Sequence, residues 1–595
     1  MFSNEKIIET KTCKHCNVSF PITDKDLEFY EKVSPSFKTP PNLPLSGEEY
    51  KTLLPPDKGD GGGYKYLIPS PTLCPDCRRQ RRLSWRNESK LYKNKCNATG
   101  KDIVSIYSPD KKFTIYNQDY WWSDNWNPLD YGKDFDFSKS FFEQFKELQI
   151  EVPRIALLNG FQENAEFANH SYHNKNSYLV NSCSYVEDSY HCVNVIYANN
   201  VLDSYNSEYC NNSYELIDSK YCNNCFYLLK CHNCFGCSFC EDCVDCKNCI
   251  GCKGLHHKEY CVFNKQVKKE EFEKIIKSIF TGENKKSIEN EYQKIKKSFP
   301  SKGETNLNST EIIACDNCEN SKNLKYCFEC RDSENLAYCF WMGGGGAKDC
   351  YDYDIWGEKS SLIYETHCSG GATTNILFSN IIWGGHHNIY CDLFLSSASN
   401  CFGCIGLHGN EQYCILNKQY SKEEYETLVP KIIEHMMKTK EWGEFFPSSI
   451  SPFGYNETIA NEWFPLTREE AINKNFKWSD YEPPFPHVDK IIPSNKLPKD
   501  ITKIPDDILN RAIECEITKK PFRIIKQELE FYRKHNLPIP KRHPDQRHLD
   551  RMKLRNPRKL FDRKCDKCGK DIKTTYSPDR KEIVYCEECY NIEIY

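Results

Sequence analysis

The sequence predicts a mainly β protein. Two cysteine-rich β-solenoid segments, of the narrow β-helix kind, lie between N- and C-terminal cysteine-knuckle modules and are joined by helical connectors. Three observations predict it. From Cys231 to Cys252 every third residue is cysteine, eight in succession. Around that run the chain falls into a 15-residue register, with lines that begin Val186-Glu-Asp-Ser, Val201-Leu-Asp-Ser, Leu216-Ile-Asp-Ser, Cys231-His-Asn-Cys and Cys246-Lys-Asn-Cys. The two ends of the chain also match each other residue by residue.

The bounds are set by composition. At 595 residues the prior is about four domains. With 39% apolar and 28% charged residues there is material for packed cores. A net charge of −4 argues against a globally basic nucleic-acid binder. No run approaches the ~18 apolar residues of a membrane span, and Met1-Phe-Ser-Asn-Glu-Lys-Ile-Ile lacks a secretory pattern. Thirty-five cysteines in such a chain point to metal ligands and buried thiols rather than disulfides. A soluble, cytoplasmic protein with no membrane partner is expected.

The end modules come first. Cys13-x-x-Cys16, Phe20 and Leu27-Glu-Phe-Tyr30 align with Cys515, Phe522 and Leu529-Glu-Phe-Tyr532. Cys74-Pro-Asp-Cys77 aligns with His543-Pro-Asp-Gln546, and Lys95-Cys96…Thr99-Gly100 with Lys564-Cys565…Cys568-Gly569. Each module thus has positions for two four-ligand sites, and each has lost one. The N-terminal copy keeps Cys13, Cys16, Cys74 and Cys77 but has Thr99, Asn117 and Tyr120 beside Cys96. The C-terminal copy keeps Cys565, Cys568, Cys586 and Cys589 but has Thr518, His543 and Gln546 beside Cys515. Two CxxC knuckles bring four thiolates to tetrahedral reach around Zn²⁺ with no open position, which makes such a site structural. Two structural zinc sites are therefore expected. The 17 residues between Cys568 and Cys586 suit a zinc ribbon. The 57 between Cys16 and Cys74 hold Lys58-Gly-Asp-Gly-Gly-Gly63, a flexible insert.

The middle carries a second duplication. Cys249-Ile-Gly-Cys-Lys-Gly-Leu255 and Tyr260-Cys-Val-Phe-Asn-Lys-Gln266 are echoed by Cys401-Phe-Gly-Cys-Ile-Gly-Leu407 and Tyr413-Cys-Ile-Leu-Asn-Lys-Gln419. Each copy enters a helix, and Ser421 with Glu424 has capping-box form. Fifteen residues per coil suit a β-helix better than paired helices, which need more than about 30. The second copy is less regular and carries Gly343-Gly-Gly-Gly346. Stacked coils would put Cys222, Cys237 and Cys252 in one column at about the strand spacing of a sheet. Such thiols can fill a narrow core, form disulfides, or hold a further metal or an iron–sulfur cluster.

The expected organisation is an N-terminal zinc-ribbon module at 1–125 (insert about 36–68), a helical connector at 126–160, solenoid 1 at 161–266 and a helical connector at 267–303. Solenoid 2 follows at 311–419, then a helical or irregular connector at 420–482, a Pro-rich linker at 483–506 and a C-terminal zinc-ribbon module at 507–595.

After the knuckles each module becomes cationic: Arg78, Arg79, Arg81, Arg82 and Arg86 in one, Arg547, Arg551, Lys553, Arg555, Arg558 and Lys559 in the other. From Lys541 to Lys564 ten Lys/Arg face three Asp. Such runs beside a ribbon suit a phosphate backbone, particularly RNA, or an acidic partner; the bland alternative is a solvated helix face.

The CxxC…Cys74-Pro-Asp-Cys77-Arg-Arg-Gln-Arg-Arg pattern, with Tyr107-Ser-Pro-Asp, Tyr120-Trp-Trp and the closing Lys564-Cys-Asp-Lys-Cys-Gly-Lys and Tyr585-Cys-Glu-Glu-Cys589, resembles a family of zinc-ribbon, cysteine-rich repeat proteins of candidate-phyla (patescibacterial) bacteria. The resemblance covers nearly the whole chain and implies architecture more than activity. Relatives are sometimes given a class III coenzyme A-transferase name, but the chain has no Gly-rich nucleotide loop and no βαβ alternation. It departs from the pattern at Thr518, His543 and Gln546.

Enzyme signals are otherwise poor: no HExxH, GxSxG or P-loop sequence appears. The expected function is a zinc-binding intracellular scaffold that binds RNA, a ribosomal surface or an acidic protein through its basic modules. The alternative is metal, cluster or redox work by solenoid thiols. A weaker one is an enzyme, in a polysaccharide-type β-helix groove near His256-His257 or His386-His387.

Overall fold

The structure, a computed structural model, describes residues 4–38, 53–54, 63–280, 282–485, 488 and 490–594. It is mainly β, with about 21 solenoid turns between residues 159 and 415, helices elsewhere and cysteine clusters towards both ends. The chain separates into two compact units: Met1–Ala156 with Thr305–Tyr481, and Leu157–Glu304 with Glu482–Tyr595. The N-terminal module thus shares a unit with the second solenoid, and the C-terminal module with the first.

In solenoid 1 the strands pair in parallel at an offset of 12 residues, from Asn159↔Ser171 to Cys249↔Cys261. The 15-residue coil is therefore corrected to 12. The real unit is the triplet, and its cause is in the backbone. Every third residue takes φ near +50°, as at Tyr221, Asn224, Tyr227, Lys230 and Asn233. Two extended residues and one left-handed corner make one side, and four sides close a coil. Twelve and 15 are both multiples of three, so the 15-residue lines advance by one side per coil rather than stacking. Column neighbours are Cys222 and Cys234, or Cys225 and Cys237, not Cys222 and Cys237.

Left-handed corners are costly for residues other than Gly, Asn and Asp. Repetition offsets the strain, because each corner side chain bonds its equivalent one coil on. Asn194 Nδ2 donates to Asn206, which donates to Asp218 Oδ1 at 2.6 Å. Tyr185, Tyr197, Tyr209 and Tyr221 stack face to face at 4.8–4.9 Å.

The residue after each corner points inward, and in solenoid 1 that column is largely cysteine, with Val, Leu and Ala. Each thiol donates along the coil stack. Cys225 Sγ lies 3.3 Å from Asn223 O and 3.5 Å from Cys234 O. Ser171 Oγ makes the same pair of contacts, to Asn169 O and Val180 O. Cysteine here is a larger, less polar serine with a carbonyl acceptor already supplied. Burial pushes the Cys192 thiol up to about 12, so it stays protonated.

Solenoid 2 begins at the same offset, Thr310↔Lys322. It then lengthens to 14 at Glu334↔Lys348 and 13 at Lys348↔Ser361, Ser361↔Thr374 and Asn388↔Cys401. The wider coil admits Met342, Tyr353 and Phe394 among its core cysteines.

Two connector expectations are corrected. Within 483–506, Ile491–Pro493 is a strand paired with Ala512–Glu514, and Leu497, Ile501 and Ile504 are buried with Phe522 and Leu529. The apolar residues between the prolines, not the prolines, decide the fate of this segment. Within 126–160, the Phe141–Glu151 helix is followed by the Arg154–Ile155 strand, which pairs with Ile115–Tyr116 of the module. Of the insert at 36–68, Ser36–Phe37 and Leu53–Leu54 pair with Tyr64–Tyr66, whereas most of Lys58–Gly63 lies outside the described residues.

Candidate metal centres

All four knuckles share one turn, including the two that have lost thiols. The first-cysteine N–H reaches the carbonyl five residues on, Cys13 to Val18, Cys96 to Lys101, Cys515 to Lys520 and Cys565 to Lys570, at 2.8–3.0 Å. The residue four on closes back on the cysteine carbonyl with φ of +60 to +76°, at Asn17, Gly100, Lys519 and Gly569. Each second half-site is a helix start. Cys74 caps Pro75–Leu83, Asn117 caps Gln118–Trp121 and His543 caps Pro544–Leu554, and Cys586 directly precedes Glu587–Ile594.

In two of the four sites thiols converge. The sulfurs of Cys13, Cys16, Cys74 and Cys77 lie within 4.8 Å of one another, as do those of Cys565, Cys568, Cys586 and Cys589. Cys16 and Cys74 are 3.7 Å apart, and so are Cys568 and Cys586. A tetrahedron with arms near 2.3 Å has edges of about 3.8 Å, so both sets fit a four-thiolate metal ion. The charge they would carry is prepared for. The Cys586 N–H donates to Cys565 Sγ at 3.2 Å. Burial alone would raise the Cys565 thiol, but bonds from the Cys568, Cys586 and Lys567 backbones outweigh it and bring it to about 6. The neighbouring Cys77 thiol, ahead of burial, brings Cys74 down to about 5.

At the two depleted sites hydrogen bonds stand where the other thiols would be. Cys96 Sγ donates to Asn117 Oδ1 at 3.3 Å and accepts from its N–H at 3.3 Å. The Thr518 N–H lies 3.5 Å from Cys515 Sγ. Among the described residues no solenoid thiols join a converging group of three or more ligands.

The arginine runs are the main correction. Arg78, Arg79, Arg82 and Arg86 are buried, and so are Arg547, Arg551, Arg555 and Arg558; only Lys553 and Lys559 are exposed. In the first unit Arg78 and Arg82 bond acids on two successive coils of solenoid 2. Arg78 Nη2 is 2.6 Å from Asp352 and its Nε 3.6 Å from Glu365. Arg82 bonds Asp354 at 2.7 Å, and both Asp352 and Glu365 at 3.4 Å. Arg81 bridges Glu365 and Glu444, Arg86 pairs with Glu88, and Arg79 lies 3.5 Å over the Phe340 ring.

The second unit repeats this on solenoid 1. Arg547 pairs with Asp203 and, at 3.3 Å, with Glu528. Arg551 straddles Asp203 at 3.0 Å and Glu215 at 3.6 Å, and Arg555 reaches Asp218 at 3.1 Å. Asp352 and Glu365, like Asp203 and Glu215, are corner residues in adjacent coils. Stacked like charges destabilise a sheet, and a guanidinium between them removes the repulsion. Aromatic pairs complete each dock: Phe29 stacks on Tyr351 at 3.7 Å, and Tyr532 meets Tyr214 at 5.9 Å. A buried guanidinium keeps its place only because it is paired, so these arginines do not form a phosphate-binding surface.

Of the aromatic cluster, Trp121 donates to Pro153 O at 3.1 Å, and Trp121 and Trp126 flank the His408 ring. The sequence reading had missed the acids Asp203, Glu215, Asp352 and Glu365. Their signal was the helical spacing of the arginines, 78/82/86 and 547/551/555, which marks one continuous face.

No protein-family model matches the chain, and no curated protein does. Among solved structures the chain is similar to one assigned as an acetyltransferase from Desulfovibrio desulfuricans G20, at 10% identity and a TM-score of 0.10, over 40% of this chain and 67% of that one. At that score the likeness carries no argument. Among the described residues no helix is long and apolar enough to cross a membrane.

Proposed function

We propose that this protein is a zinc-stabilised binding scaffold. Each four-thiol site takes one structural Zn²⁺, which fixes a module against the flank of a solenoid and leaves the outer solenoid faces to meet partners. The observation that carries this reading is the pair of closed tetrahedral thiol sets, each in a module whose arginine face is turned onto its own solenoid. A closed site has no position for substrate, so the zinc serves folding. The reading that the basic runs hold RNA, a ribosomal surface or an acidic protein retains support only from Lys553 and Lys559, since the arginines are engaged internally. The solenoid thiols, each with a carbonyl acceptor, support a core role over a redox or cluster role.

The test is elemental analysis of full-length protein purified anaerobically under reducing conditions. Two zinc per chain are expected, falling to one in Cys565→Ser/Cys568→Ser. Less than one zinc per chain, or stoichiometric iron, would overturn the proposal.

A further inference from the structure

Solenoid 2 departs from its repeat at one corner, in successive coils. The register grows from 12 to 13 or 14 residues there, and the added residues fall in glycine- and serine-rich stretches at Gly343–Gly346, Gly370–Gly371, Gly384–Gly385 and Ser396–Ser397. These glycines are required by close approach. A Cβ on Gly371 would sit 1.9 Å from Trp383 O, and one on Gly385 2.0 Å from Ala398 O. Their φ values are +64 and +81°. Ala372 is held at φ +61°, a strained conformation for a residue with a side chain. Glycine within strands marks places where something approaches the backbone closely, and bulges that break a repeat re-aim side chains at sites.

Along this corner runs a groove of about 620 Å³, lined by Ala372, Gly385, Ser397 and Asn410 in one row and Thr374, His386, Ser399 and Gln412 in the other. Its volume is that of a small-molecule site. The first row supplies a floor with little side chain. The second supplies, coil by coil, a hydroxyl, an imidazole, a hydroxyl and an amide. Thr374 pairs in register with His386, and Ser399 with Gln412; Ser399 Oγ and His386 Nδ1 are 3.1 Å apart, which orients the ring. No Asp, Glu, Lys or Arg lines the groove. Its chemistry is therefore uncharged donors and acceptors, repeated at the coil spacing of about 4.8 Å over four coils. That spacing is close to the advance of one pyranose ring along a glycan chain.

We propose that this groove binds a linear, uncharged oligosaccharide, one sugar ring per coil, its hydroxyls meeting Thr374, His386, Asn410 and Gln412 in turn. An anionic sugar would find no countercharge. A peptide would need backbone partners along a sheet edge, whereas this groove lies on coils already paired to their neighbours. The site touches neither metal centre, so it stands or falls separately from the zinc.

The test uses the full-length, zinc-loaded chain titrated calorimetrically with cellohexaose, maltohexaose, mannohexaose and chitohexaose, with hexagalacturonate as the charged comparison. At least one neutral hexasaccharide is expected to bind. Asn410→Ala/Gln412→Ala should weaken it about tenfold or more, and Ser397→Trp, which fills the groove from an exposed position, should abolish it with the thermal transition unchanged. Binding of none of the four, tighter binding of hexagalacturonate, or binding unaffected by Ser397→Trp would each overturn the proposal. If Ser397→Trp shifts the thermal transition, the alanine pair decides by the same criterion.

Discussion

The two units solve one problem with different materials. In each, a helix that follows a cysteine half-site presents arginines at i, i+4 and i+8 to acids stacked on adjacent coils. Yet the unit with solenoid 1 has a strict 12-residue coil filled with Cys and Val, and the other has 13- and 14-residue coils filled with Tyr, Phe and Met. The number of residues per turn sets the cross-section, and the cross-section sets the side-chain size it accepts. A coil that never varies leaves its outer faces regular. One that gains a residue at one corner opens a groove.

The largest difference between the units should lie at the metals. Cys568 is exposed and Cys589 half-buried, whereas Cys13, Cys74 and Cys77 are buried. Under EDTA the C-terminal site should release its zinc first, with loss of on the order of 10 kcal/mol of folding free energy in that module. A single-phase release of both ions, followed with a chromogenic zinc indicator, would break this contrast.

Next come the clasps. Arg82→Ala and Arg551→Ala each leave stacked, buried carboxylates uncompensated. Each should cost about 3–5 kcal/mol in urea unfolding, and similar losses in the two units would confirm that the docks are equivalent.

A difference in acid should follow. Burial raises Glu528, but His191, Arg547 and Tyr532 outweigh it and hold it near 2, below its ordinary 4.5. A depressed carboxylate stabilises the fold above its unfolded pKa, and that stability is lost as pH falls from 4.5 towards 2. The second unit should lose about 3 kcal/mol across that window. Glu528→Gln should flatten the dependence, and an unchanged acid profile would remove Glu528 from the account.

The smallest effects concern the cores. Cys237→Leu should overpack the narrow coil by about 1–3 kcal/mol, and Cys391→Leu in the wider solenoid by less. Cys237→Ser keeps the carbonyl contacts and should cost about 1 kcal/mol. Equal penalties for the two leucines in thermal unfolding would show that coil width does not set core size.

Much of this was legible beforehand. The triplet cysteines gave the solenoid, because small residues at a fixed step must line a narrow interior. The complementary loss of thiols in the aligned ends gave both four-thiol sites. The number of triplets per coil was not legible, since 12 and 15 both preserve the triplet. The direction of the arginines was not legible either, since Asp203 is more than 300 residues from Arg547, and Asp352 more than 250 from Arg78.

The sequence by itself determined which residues could bind metal and which had to face inward. Both follow from local spacing, which the backbone enforces wherever the chain lies. Only the tertiary structure decided which solenoid each module grips, and whether its arginines meet solvent or carboxylates. A helix face carries the same cations in either case, and what they meet depends on segments that only folding brings together.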